Sequence, residues 1–142
     1  MGTWGNGPFG SDTAQDFLEQ IEQLSVEERL AILERTFGAA LEPQSTGDDE
    51  VLPEEVLVAA SIVVANLPAG VNLSWNDEVP GISNWLVEQP SRRLRDLAAE
   101  ALSATFPADG WWWASWVNPT DKDRMKESFD RIDSILRESV GE

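Results

Sequence analysis

The stretch VLVAASIVVANL at 56–67 constrains the fold more than any other part of this chain. It carries no charge and is apolar at nearly every position, so it has no face to offer water. A helix that is hydrophobic all round belongs inside a core. The run is far short of the ~20 residues that cross a bilayer, so other parts of the chain must wrap it. Ile62, Val63 and Val64 are β-branched and would suit a buried strand, but the length and the alanines favour a helix. Pro53 suits the first turn of that helix, with Glu54 and Glu55 facing its positive end.

The segments around it carry the stripes of helices that could do the wrapping. Ala14, Phe17, Leu18, Ile21 and Leu24 form one stripe in a helix starting near Asp12. Ser25 and Glu28 make a capping box for a second helix, striped by Val26, Leu30, Leu33, Phe37 and Leu41. A short helix is expected around ISNWLVEQ, stopped by Pro90. Ser91 caps the next, with Leu94, Leu97, Ala98, Ala101 and Leu102 on its inner side. Thr120 caps the last, where Met125, Phe129, Ile132 and Leu136 face inward. On its wet side Lys126–Asp130 and Glu127–Arg131 are expected as i, i+4 ion pairs. The predicted fold is all-α: one compact domain over 1–142, of five or six helices. Residues 1–11 form a glycine-rich arm packed on it, 42–52 an acidic loop, and 68–81 a long connection.

Missing residue types bound the chemistry. The chain has no His, Cys or Tyr. Ser-His and Cys-His nucleophile pairs, disulfides, and imidazole or thiolate metal sites are therefore impossible. Catalysis would rest on carboxylates, on Lys122 or Lys126, or on a metal held by oxygen ligands. No catalytic residue and no cofactor is assigned. No basic segment followed by an apolar one suggests export, so a cytoplasmic address is expected.

The net charge is −16, and it is lopsided. Residues 1–91 hold sixteen acids against Arg29 and Arg35, a net of −14, whereas 92–142 stand at −2. That field repels nucleic acid and anionic membranes and draws in a basic protein. Solubility alone also accounts for an acidic surface.

The opening MGTWGNGPFG contains G-x-G-x-x-G at 5–10. A phosphate cradle needs a strand before the glycines, and only four residues precede them. Pro8 lacks an N–H donor, and Asp12 and Asp16 would repel the anion. The segment reads instead as a folded-back arm: Gly5, Gly7 and Pro8 shape it, and Trp4 and Phe9 anchor it in the core. Trp4→Ala is expected to cost about 3 kcal/mol.

Met1-Gly2-Thr3-Trp4-Gly5-Asn6-Gly7-Pro8-Phe9, followed by Asp12, Ala14, Asp16 and Phe17, resembles the domain-of-unknown-function family 4259, found in bacteria. The later layout is similar too: an Ala/Val-rich helix over Glu54 to Leu67, Trp85-Leu86, Leu94 to Leu102, a Trp segment and a closing amphipathic helix. The resemblance spans essentially the whole chain. It implies a fold and no chemistry.

Four sets of residues are candidates for function. Asp12 and Asp16 stand four apart on one helix face, with Glu19 near it, and are the weak candidates for a divalent cation. Dipole stabilisation of a helix start already explains them. The acids of Asp48-Asp49-Glu50 and Asp77-Glu78 lack calcium-loop spacing and read as solvated. Arg92, Arg93 and Arg95 crowd the first turn of a helix, where the dipole disfavours cations. An acid of the same chain is expected to compensate them; otherwise an anionic ligand or partner would. The fourth set is GWWWASW. In a helix Trp112, Trp113 and Trp116 share a face with Trp111 apart, more tryptophan than a small core absorbs. Trp111 and Trp116 are therefore interaction candidates.

Three function classes result. One is a non-catalytic acidic module (an inhibitor, an immunity-like protein or a regulator) binding a basic partner, which the charge and absent residue types favour. A carboxylate- or metal-dependent enzyme using Asp12 and Asp16 is the second, and a self-associating helical protein the third.

Overall fold

The computed structural model describes residues 12–41, 53–67, 70, 73, 79, 81–86, 90–106, 111–114 and 119–140. The arm at 1–11, the loop at 42–52, most of 68–81 and Trp116 lie outside these residues. So do Asp48, Asp49, Glu50, Asp77 and Glu78. Helix α1 covers Asp12–Glu22, α2 Val26–Leu41, α3 Pro53–Ala65, α4 Arg92–Thr105, α5 Trp111–Ala114 and α6 Pro119–Val140. A single 3-10 turn occupies Ile82–Asn84. Among the described residues there is no strand, and the chain is one compact helical domain.

Helix α3 sits at the centre, as its apolar sequence requires. Val56 to Ala65 are all buried, and α1, α2, α4, α6 and the 3-10 turn pack on the helix. The one hydroxyl there, on Ser61, donates to the Leu57 carbonyl at 2.8 Å, so no polar group is left open. The surrounding helices bury the stripes read from sequence. Phe17, Leu18 and Ile21 come from α1, Leu33 and Phe37 from α2, Leu94, Ala98 and Leu102 from α4, and Met125, Ile132 and Leu136 from α6. Truncating any of the large ones to Ala costs about 2–5 kcal/mol.

Local signals set the helix starts. The Ser25 N–H donates to Glu28 Oε1 at 3.1 Å while the Glu28 N–H donates to Ser25 Oγ at 3.2 Å, the reciprocal capping box. Ser91 Oγ accepts the Leu94 N–H at 3.2 Å at the head of α4. Helix α6 begins at Pro119, one residue before the expected cap Thr120, because proline's fixed φ fits a first helical position.

Of the short helix expected around ISNWLVEQ, the described residues 82–86 form only the turn Ile82–Asn84, and 87–89 lie outside them. Gly81 enters it in the left-handed region, at φ 84°. Asn66 explains the stop. Its Nδ2 donates to the carbonyls of Ile62 and Ile82, at 2.8 and 3.0 Å. Its Oδ1 accepts the Leu86 N–H at 3.2 Å. An α-helix would pair the Leu86 N–H with the Ile82 carbonyl. Asn66 takes both, and Trp85 and Leu86 turn into the core.

Candidate functional site

Two surfaces stand out, and they handle charge differently. On α1 and α2, Asp16, Glu19, Glu22, Glu27, Glu28 and Glu34 are all exposed. Among the described residues none of them is in an ion pair. Glu28 is held in its cap, and the other five have no cation beside them among the described residues. Of the two bases in this part of the chain, Arg35 is exposed and Arg29 is not available to the acids. Arg29 turns inward and donates from Nε to the Ile21 carbonyl (3.1 Å), from Nη2 to Glu22 (2.8 Å) and from Nη1 to Trp85 (2.9 Å). Its guanidinium also lies 5.1 Å from the centre of the Trp85 ring. The Ile21 and Glu22 carbonyls close α1, where unpaired acceptors and the helix dipole both favour a cation. The basic group thus joins α1, α2 and the 3-10 turn, and the acids outside keep their field.

The second surface is a groove between α4 and α6. One lobe, of about 720 Å³, is lined by Asp96, Ala99, Glu100, Ser103, Ala104 and Arg137. Ser103 also borders a smaller lobe of about 290 Å³, walled by Lys126, Asp130 and Asp133 over an aromatic floor. The floor is Phe106, Trp113 and Phe129. Phe129 meets the other two edge-on, at centroid distances of 5.5 Å to Phe106 and 5.6 Å to Trp113. Trp113 is buried, and its Nε1–H points to the Phe106 carbonyl at 3.4 Å. Across the groove Arg137 donates from Nε to Asp133 Oδ2 (2.9 Å) and from Nη2 to Ser103 Oγ (2.8 Å), tying α6 to α4. Asp133 Oδ1 is covered and has no hydrogen-bond partner among the described residues.

With this geometry in hand, the family can be fixed. The model of a domain of unknown function, DUF4259, matches residues 2–128. The chain belongs to that family. No curated protein and no solved structure matches it. The DUF4259 match includes α1, α2 and α4 and ends within α6, so the acidic surface lies inside it while Phe129, Asp130, Asp133 and Arg137 of the groove lie beyond it.

In this DUF4259 chain the residues singled out from sequence are dispersed. Asp12 opens α1, and Asp16 and Glu19 are exposed further along it. No group of three or more acids that could hold a metal occurs among the described residues. Arg92 and Arg93 are exposed and meet no acid among the described residues; Asp77, Glu78 and Glu88, acids the expected internal pairing could use, lie outside them. Arg95 is turned inward, 8% exposed, with its stem along the core. Trp111 lies in α5, next to the aromatic floor in sequence.

The expected ion pairs Lys126–Asp130 and Glu127–Arg131 do not close; Asp133–Arg137, one turn on, does. An exposed i, i+4 pair is worth only about 0.3–0.5 kcal/mol, too little to hold two long side chains without help. Arg137 has that help in Ser103. Sequence reading missed Arg29, Asn66 and the Ser103–Arg137–Asp133 link. Only Arg29 left a signal, as one of two bases amid sixteen acids.

Proposed function

We propose that this chain is a non-catalytic protein-interaction module that binds a basic partner through the outer faces of α1 and α2. The observation that carries the reading is the set of exposed carboxylates there with no counter-ion among the described residues, while the neighbouring Arg29 is engaged by backbone carbonyls. Uncompensated like charge opposes folding, and beyond solubility it presents a field that a partner outside the chain can answer. A partner rich in Lys and Arg would do so and would be steered toward the surface at low salt. The absence of His, Cys and Tyr supports a binding role over catalysis.

The test is recovery of partners on the immobilised protein from its source lysate, with and without a high-salt wash. A basic protein retained at low salt and released at high salt is the expected outcome. Retention that ignores salt, or of acidic proteins only, would contradict the proposal.

A further inference from the structure

The groove between α4 and α6 has a polarity that specifies an occupant. Along α4, Asp96, Glu100 and Ser103 follow one another at i, i+4 and i+7, so they make one stripe along the groove, and Phe106 caps the end of the helix beyond them. At one end Asp96 and Glu100 are like charges one turn apart, and neither is in an ion pair among the described residues. The cation of that lobe, Arg137, is engaged by Asp133 and Ser103 instead. At the other end lie Phe106 and Phe129, with Lys126, Asp130 and the Arg137-paired Asp133 beside them. The groove therefore has two carboxylates unpaired among the described residues at one end and an aromatic floor at the other.

We propose that this groove seats one amphipathic helix of the basic partner, with a large apolar side chain over Phe106 and Phe129 and an Arg or Lys against Asp96 and Glu100. The inference rests on the proposed function and adds to it a second contact and a sequence pattern. Six residues of α4 separate Glu100 from Phe106 and ten separate Asp96 from it, about 9 and 15 Å at helical rise. A helix lying along α4 meets both ends when its apolar anchor and its base stand seven apart, two turns on one face. Lys126 at the aromatic end disfavours the reverse placement of the base.

The probe is a pair of Ala/Gln helical peptides of about 18 residues, long enough to hold a helix. One carries Phe and Arg seven apart on one face. The control has the same composition with the two nine apart, on opposite faces. Calorimetric titration of the full chain is expected to show the first binding about tenfold more tightly than the second. The preference should vanish in Asp96→Asn/Glu100→Gln and persist in Glu19→Gln/Glu27→Gln/Glu34→Gln. Equal binding of the two peptides, no binding of the first, or a preference that survives Asp96→Asn/Glu100→Gln would overturn the groove assignment. If a salt-released basic protein is still recovered from lysate, the groove assignment alone falls. If none is recovered, the interaction reading itself has failed.

Discussion

Arg29 on α2 and Arg137 on α6 are used differently, and the contrast between them separates the charge that holds this fold from the charge that does not. Arg29 is partly buried, gives three hydrogen bonds to backbone carbonyls and stacks on Trp85. Arg137 is 57% exposed on its side chain and bridges Asp133 and Ser103 across an open groove. Around Arg29 the acids of α1 and α2 are exposed with no counter-ion among the described residues; Arg137 has Asp133 as its ion-pair partner, with Asp96 and Glu100 lining the same lobe. In the first region one cation is used for architecture and the carboxylates are left over. In the second, charge does a little of both.

That difference orders the expected effects of substitution. The largest loss belongs to the aromatic floor: Trp113→Ala should cost about 3–5 kcal/mol in denaturant unfolding, because the floor of the groove is also core. An effect under about 1 kcal/mol would show that the ring is not packed as described. Arg29→Ala comes next, at about 2–3 kcal/mol, since it strands acceptors at the end of α1 and bares Trp85. Arg29→Lys should recover little of this, because an ammonium lacks the planar fork that reaches three carbonyls. Arg137→Ala should cost less than about 0.5 kcal/mol, as exposed ion pairs do. If the two arginines proved equal in thermal melts, the comparison would collapse. The smallest effect is a gain: Glu19→Gln/Glu27→Gln/Glu34→Gln should melt slightly higher than the parent at low salt, by a few tenths of a kcal/mol. The advantage should fade as salt screens the repulsion.

The architecture was legible where a residue's role is decided within a turn or two of chain. The all-apolar run of α3, the stripes of α1, α2, α4 and α6, and the caps at Ser25 and Ser91 all depend on local spacing. The errors came where a distant residue intervenes. Asn66 diverts the backbone groups of Ile82 and Leu86 from sixteen and twenty residues away, so the helical patterning at 82–86 yields only a 3-10 turn. Arg29 reaches the Trp85 carbonyl over 56 positions. Of the candidate surfaces, the acidic excess could be read from composition. The groove could not, because Ser103 and Arg137 are far apart in sequence and meet only when α4 packs on α6.

The central claim is that the carboxylates of α1 and α2 serve a partner and not the fold. Its most direct measurement is the amount of salt-released basic protein that the parent and Glu19→Gln/Glu27→Gln/Glu34→Gln retain from the same lysate at low salt. The account predicts that the variant, folded and at least as stable as the parent, loses most of that protein. Equal retention by the two would contradict it.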